Sequence, residues 1–202
     1  MIKNDLKKEL FNRWGDKDYP AEWDGNHFGG GKCSQRYWEY LWAIDKVNEV
    51  PTRCIDIGCG KDRFFPRILE NVLKYNVFAV DPEVPSQKNY FQTDLSGLLR
   101  TEKDFVKQNF DYIFCISVLE HVRNRFEFCQ MLDKIHGKII MTFDLCWTTR
   151  NKYVNRKNMY DCLNMFKNHF VSLIETCPIL ADNSPGEWIP CGIVLEDKRF
   201  FL

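Results

Sequence analysis

The feature that most constrains this chain is an alternation of short apolar runs, each one strand long, with stretches one helix long. The runs are RCIDI at 53–57, NVFAV at 76–80, FDYIFCISV at 110–118 and GKIIMTF at 137–143. Between them lie segments 64–75, 96–108 and 122–135, each of helical length. Strands covered on both faces read as continuous apolar runs, and strand–helix–strand units close by right-handed crossovers. An α/β fold with a mostly parallel sheet is therefore expected. Nearer the C-terminus, Met159, Cys162, Leu163 and Phe166 predict a helix. FVSLIET and WIPCGIVLED then read as two strands joined by the turn residues ADNSPGE, an antiparallel hairpin at the sheet edge.

The first 49 residues differ in kind. They are polar and turn-rich, yet carry Trp14, Trp23, Trp38 and Trp42, four of the six tryptophans. HFGGGKCS at 27–34 breaks the segment, and a helix follows with Ser34 as its candidate cap. Tyr37, Trp38, Leu41, Trp42 and Ile44 recur at helical spacing in it. The expected organisation is an aromatic-rich extension or substrate lid over 1–49 and one α/β domain over 50–202.

Composition narrows the partners. The chain has 28 basic and 28 acidic side chains, so no global field draws in phosphates, and a nucleic-acid substrate is not expected. Apolar stretches fall far short of the ~20 residues that span a bilayer, and MIKNDLKKELFNRWGDKD lacks the apolar core of a secretory signal. A soluble, cytoplasmic protein without membrane contact is expected. The nine cysteines include no C-x-x-C pair and several sit inside apolar runs, which predicts buried reduced thiols rather than disulfides or a zinc centre.

In an open α/β sheet, ligands bind beyond the carboxyl ends of the strands, so the residues there carry the function. The first strand ends in Asp56-Ile57-Gly58-Cys59-Gly60, where Gly58 permits a tight turn and Gly60 a close backbone approach. The second ends at Asp81-Pro82, where a carboxylate can accept from both hydroxyls of a ribose. Thr93-Asp94-Leu95 precedes the next helix, and Asp94 there is also an ordinary helix start. Ser117-Val118-Leu119-Glu120-His121-Val122 follows the fourth apolar run. A dinucleotide fingerprint would need glycine at 63, where the chain has Arg63, which argues against NAD or FAD. A phosphate loop in HFGGGK fails at Asn26 and Cys33.

IDIGCG, VFAVDP, FQTDL and FDYIFCISVLEHV, in this order and spacing, resemble the class I S-adenosylmethionine-dependent methyltransferases over about residues 50–145. The resemblance is to the small-molecule branch, in which the fourth strand ends in V-L-E-H-V. It implies a Rossmann-like three-layer sandwich, with a mostly parallel seven-stranded sheet and an antiparallel C-terminal hairpin. It also implies S-adenosyl-L-methionine as cofactor. By that resemblance Asp56, Gly58 and Gly60 would hold its methionyl end and Asp81 its ribose. Asp94 and Leu95 would face adenine, Asp94 accepting from the exocyclic amine, and Ser117 and Val118 would line the reacting end. Asp62 departs from the family, many members having glycine or another small residue there.

Methyl transfer is an in-line displacement in which the protein chiefly aligns the nucleophile, and orientation alone can provide roughly 7–11 kcal/mol. A hydroxyl acceptor also benefits from a base that titrates near neutrality. The candidates are His121 beside Glu120, His27 in the N-terminal loop, and Asp144 at the end of the fifth strand, followed by Cys146-Trp147 as a possible pocket roof. Some relatives with the E-H pair bind a divalent metal there, but two residues do not make a site, and no metal is expected. A fold of this kind uses about 150 residues, leaving about 50 and no separate recognition domain. A small-molecule acceptor is therefore expected. Trp23, His27, Phe28, Tyr37 and Trp38 would suit a sugar or planar metabolite, although Trp38 and Trp42 equally suit packing of the helix on the core. Residues 19–40 weakly resemble methyltransferases of bacterial surface-polysaccharide gene sets, which makes O-methylation of a sugar the leading expectation. The alternative is a catalytically silent, methyltransferase-like protein that binds a nucleoside and serves as a partner or regulator. Oligomeric state is left open by the sequence.

Overall fold

The computed structural model describes residues 33–47, 53–61, 63–71, 73–102, 104–146, 154–176 and 188–201. Five helices and eight strands lie within them. The strands are β1 (Cys54–Ile57), β2 (Val77–Val80), β3 (Tyr90–Phe91), β4 (Asn109–Ile116), β5 (His136–Cys146), β6 (Val154–Asn155), β7 (His169–Thr176) and β8 (Trp188–Asp197). The helices are α1 (Cys33–Asp45), α2 (Phe64–Asn71), α3 (Leu95–Thr101), α4 (Arg125–Leu132) and α5 (Arg156–Leu163). Seven strands form one sheet in the order β3-β2-β1-β4-β5-β8-β7, and the two-residue β6 pairs on β5. Pairs among β1 to β5 are parallel, whereas β8 is antiparallel to both β5 and β7. This is the α/β fold with a mostly parallel sheet expected from the alternation, and the Rossmann-like sandwich that the resemblance implies. β8 enters the sheet beside β5 and leaves β7 at the edge, an order the hairpin signal alone does not reveal.

The chain winds outward from β1 to β3, then returns to place β4 on the other side of β1. The crevice between the carboxyl ends of β1 and β4 is thus the topological switch point.

Side-chain alternation assigns each strand residue to one of two cores. Ile55, Ile113, Cys115, Ile139, Met141 and Phe143 face one cluster, which α3, α4 and α5 close with Leu98, Phe128, Leu132 and Met159. Cys54, Tyr112, Phe114, Ile116 and Ile140 face the other, closed by Phe65, Ile68 and Leu69 of α2 and by Trp42, Ala43 and Ile44 of α1. Trp42 lies across Gly192 of β8, where any Cβ would stand 2.6 Å from its ring. Its indole Nε1 donates to Glu175 Oε2 at 2.5 Å. Trp42 is therefore a core side chain, and Trp38 stacks on it with centroids 5.8 Å apart.

Four helices differ from expectation for local reasons. α1 begins at Cys33, so Ser34 lies in its first turn and not at its cap. Segment 64–75 stops at Asn71, and Lys74 turns the chain out through a left-handed backbone with φ 61°. Segment 96–108 is not one helix: α3 ends at Thr101, and a separate 3-10 turn forms at Phe105–Lys107. Thr101 Oγ1 donates back to the Gly97 carbonyl at 3.1 Å, a local bond that competes with helix continuation. α4 starts three residues later than expected, at Arg125. There the Asn124 side chain accepts from Glu127 N–H at 3.3 Å, and its Nδ2 donates to Glu127 Oε2 at 2.9 Å, a reciprocal cap. No helix among the described residues is long and apolar enough to cross a membrane.

Candidate functional site

The switch point opens into a cavity of about 500 Å³, within the range that takes a drug-sized ligand. Of the strand-end residues singled out above, Gly58, Asp81, Asp94, Leu95, Val118 and His121 line it, whereas Asp56, Gly60, Ser117 and Asp144 do not. Asn124, Glu127, Phe128 and Met131 of the β4–α4 connection and α4 complete the lining, and no sequence motif announces them.

The geometry of the first turn explains its glycines. Gly58 has φ +80° and donates its N–H to the Val80 carbonyl at 2.7 Å. A Cβ on Gly58 would lie 2.3 Å from Val118 Cγ2, so only glycine lets the β1 and β4 turns meet. Gly60, at φ +70°, faces open space, with nothing within 4 Å of where its Cβ would be. Arg63 holds a third left-handed backbone, φ 52°, at the place where a dinucleotide fingerprint has its last glycine. Its guanidinium sits over the Tyr90 ring, 5.5 Å from the centroid.

The carboxylates differ in how they are held. Asp56 is buried within β1. Asp81 is half-buried and accepts two backbone bonds, Gly60 N–H on Oδ2 at 3.0 Å and Glu83 N–H on Oδ1 at 2.8 Å. Each oxygen keeps a further lone pair, and the carboxylate lines the cavity. Asp94 caps α3 by accepting from Gly97 N–H with Oδ1 at 2.6 Å, so the helix-start reading and the cavity-facing reading hold together.

Ser117 is buried, with φ 50°, a strained backbone for a residue with a Cβ. Its N–H donates to the Thr142 carbonyl at 2.9 Å and to Thr142 Oγ1 at 3.1 Å. Its hydroxyl donates to Glu39 Oε1 at 2.5 Å, and Thr142 Oγ1 donates to the same oxygen at 2.9 Å. Glu39 belongs to α1 and is buried. Sequence reasoning missed it, although its spacing from Trp42 and Ala43 (i, i+3, i+4) places it on the buried face of α1. Arg125 was missed as well: its Nε donates to the Leu119 carbonyl at 3.0 Å and its Nη2 to that of Glu120 at 3.2 Å, pinning the turn that carries Val118 and His121.

Of the candidate bases, the two within the described residues, His121 and Asp144, do not converge. His121 lines the cavity with its side chain 72% exposed, and its Nε2 is 3.9 Å from Glu120 Oε1. Asp144 lies inside β5, which runs on to Cys146, and it pairs with Pro190; it is not part of the cavity wall. His27 lies outside the described residues, as do Trp23, Phe28, Asp62, Trp147 and the ADNSPGE turn. Among the described residues, no group of three His, Cys, Asp or Glu side chains is placed to hold a metal ion. Cys54, Cys59, Cys115, Cys129, Cys162 and Cys191 are free thiols. Burial, followed by the nearby Asp56 and Asp81 charges, pushes the Cys59 thiol far up, and burial holds Cys191 at about 12. The Cys59 and Cys191 thiols therefore stay protonated.

Comparison with known proteins agrees with this geometry. A family model described as a methyltransferase domain matches residues 27–138, more than half of the chain. No curated protein matches the sequence. Among solved structures, the O-methyltransferase of a trans-AT polyketide synthase multienzyme of Brevibacillus brevis, in complex with S-adenosyl-L-homocysteine, superposes with a TM-score of 0.56 at 12% identity. That match covers 82% of this chain and 72% of the other. The plantazolicin methyltransferase BpumL, in complex with a pentazolic desmethylPZN analogue and SAH, gives 0.55 at 11% identity over 97% and 91% of the two chains. The [4+2]-cyclase SpnF gives 0.55 at 11% identity over 96% and 93%. At such identities the likeness is one of fold.

Proposed function

The chain belongs to the class I S-adenosylmethionine-dependent methyltransferases, and from that premise we propose that it methylates a small molecule, with a hydroxyl of a sugar or related metabolite as acceptor. The observation that carries the reading is the convergence of Gly58, Asp81, Asp94, Leu95 and Val118 on one cavity at the switch point. Their chemistry suits the cofactor. Asp81 keeps acceptor capacity for two ribose hydroxyls, Asp94 has a carboxylate oxygen beyond its cap bond, and Gly60 leaves room for close backbone approach. Asp56, Gly58 and Gly60 would hold the methionyl end, and Ser117 and Val118 the reacting end.

When bound, the cofactor supplies a methyl group activated by its sulfonium. The protein's part is to bind it, align the acceptor, exclude water and take up one proton. An acceptor hydroxyl methylated at the expense of the cofactor's carbon–sulfur bond would give up its proton to a base of this chain. His121, within the cavity wall, is the described residue best placed for that role; His27 and Asp144 are the other candidates. A small acceptor is supported by the cavity of about 500 Å³ and by the absence of a net basic charge, with 28 acidic residues balancing 28 basic. We propose the extension over residues 1–49 as the acceptor lid. The compartment assigned is the cytoplasm.

One observation favours a second reading. The candidate bases among the described residues are dispersed, Asp144 lying away from the cavity that holds His121, as in a fold kept for binding a nucleoside. SpnF, a cyclase of this fold, shows that the architecture serves other chemistry. Methyl-labelled S-adenosylmethionine incubated with a panel of free and nucleotide-linked sugars separates the two. Label in a sugar with stoichiometric S-adenosylhomocysteine supports the transferase, whereas binding without turnover on any hydroxylated acceptor supports the silent protein.

A further inference from the structure

The cavity at the switch point has a neighbour. A second cavity of about 420 Å³ adjoins it between α3 and α4, and Ser96, Glu127 and Met131 line both. Ser96 follows Asp94 and Leu95 in the first turn of α3, so the two spaces meet beside the residues assigned to adenine. Adenine seated against Asp94 and Leu95 would have one ring edge at the mouth of a groove and not against a closed wall.

The groove has a direction. On α3 its wall is Ser96, Leu99 and Arg100, and on α4 and the turn after it Glu127, Met131 and Lys134, each set at helical spacing. Ser96 and Glu127 belong to the mouth. At 1.5 Å per residue, Arg100 and Lys134 stand roughly 6–10 Å farther along the helices. Leu99 and Met131, both half-buried, give the space between an apolar lining. Glu127 at the mouth already accepts from Asn124 Nδ2 at 2.9 Å. Arg100 and Lys134 are exposed, and neither side chain forms a hydrogen bond or ion pair with another described residue. Helix carboxyl ends favour cations, which accounts for the sign of these two residues. It does not account for a ligand-sized space between them that meets the cofactor cavity.

We propose that the site takes, besides the unmodified cofactor, adenosyl ligands whose N6 carries a flexible chain ending in a carboxylate, with the chain against Leu99 and Met131 and the anion between Arg100 and Lys134. The inference rests on the assignment of Asp94 and Leu95 to adenine. A singly substituted N6 keeps one N–H for the second oxygen of Asp94, whose Oδ1 is engaged by Gly97 N–H. The adenine bond and the substituent are therefore compatible.

The test is isothermal titration of the full chain with S-adenosylhomocysteine, its N6-carboxypentyl derivative and the corresponding carboxamide, which has the same size and no charge. The carboxylate derivative is expected to bind within about tenfold of S-adenosylhomocysteine, and about three- to tenfold tighter than the carboxamide at low salt. Exposed charges are screened, so that preference is expected to shrink at about 0.5 M salt. Arg100→Ala and Lys134→Ala are each expected to lower the preference, and the double variant to bring the ratio to about one. A carboxylate derivative more than about tenfold weaker than S-adenosylhomocysteine shows a closed adenine edge and overturns the inference while leaving the cofactor site standing. Equal binding of acid and amide, or a preference that survives the double variant, overturns it in the same way. A protein that binds none of the three ligands overturns the cofactor reading itself, and this inference with it.

Discussion

The two ends of the central sheet use the same residue types to opposite effect. At the carboxyl ends of β1 to β4, the acidic side chains Asp81 and Asp94 face a cavity, each with accepting capacity beyond the bonds it makes to backbone. At the other end the acids are enclosed. Asp133 accepts from Lys167 N–H, from Asn168 N–H and Nδ2–H, and faces His169 Nδ1 at 2.8 Å. His169 is buried, and its Nε2 meets the Gly137 carbonyl at 3.0 Å. Asp197 accepts from Gly137 N–H at 3.0 Å and from Arg199 Nε at 2.6 Å. One end spends its polar groups on the fold, where each is answered by another part of the chain. The other holds capacity in reserve. Left-handed backbone occurs at both ends, at Gly58, Gly60, Arg63 and Ser117 beside the cavity and at Lys74 and Gly137 at the closed end, so it is the hydrogen-bonding capacity beyond the fold's own bonds that marks a binding site.

That contrast can be broken experimentally. The largest effect is expected for Asp133→Ala, which removes the acceptor for one loop and one buried ring. It should cost about 3–5 kcal/mol, seen as a drop of roughly 10 °C or more in Tm, with nucleoside affinity of the folded protein unchanged. A parallel loss of ligand affinity would show that the two ends are coupled. Gly58→Ala comes next: a left-handed alanine pressed against Val118 should cost about 2–4 kcal/mol and also weaken the ligand, because it pries apart the turns that form the cavity.

Acid should act on the closed end. Burial tends to raise Asp197, but the Arg199 side chain, with the Arg199 and Gly137 N–H groups, outweighs it and holds the carboxyl below its ordinary 3.8. A carboxyl depressed in the folded state stabilises fully above its unfolded value, and that stability is lost as pH falls through the folded one. The stability that Asp197 contributes should therefore stay level from neutrality to about pH 5 and be lost below about 4, seen as the difference in melting temperature between wild type and Asp197→Asn. Asp197→Asn should lower the neutral plateau by about 1–2 kcal/mol and flatten the acid drop. The smallest effect is expected for Arg125→Ala, which frees the Leu119 and Glu120 carbonyls and should weaken S-adenosylhomocysteine by about three- to tenfold with little change in Tm.

Much of the open end was legible because it is written in local chemistry. Glycine where the backbone must turn left, and an acid just past an apolar run, can be read without knowing what lies opposite. The closed end was illegible for the converse reason. Asp133, His169 and Asp197 are far apart in sequence and acquire meaning only when β5, β7 and β8 come together. Glu39 falls between these cases. Its phase on α1 marks it as inward-facing, but its partners Ser117 and Thr142 depend on long-range pairing. β3 is two residues long and carries no periodicity, and the left-handed Arg63 breaks the rule by which glycine marks such positions.

The central claim is that the open end is the nucleoside site and that Asp81 anchors the ribose. Isothermal titration of S-adenosylhomocysteine into wild type and Asp81→Ala tests it most directly. The account predicts one saturable site in wild type, an affinity loss of about a hundredfold in Asp81→Ala, and a Tm within a few degrees of wild type. Equal affinity in the two proteins would contradict it.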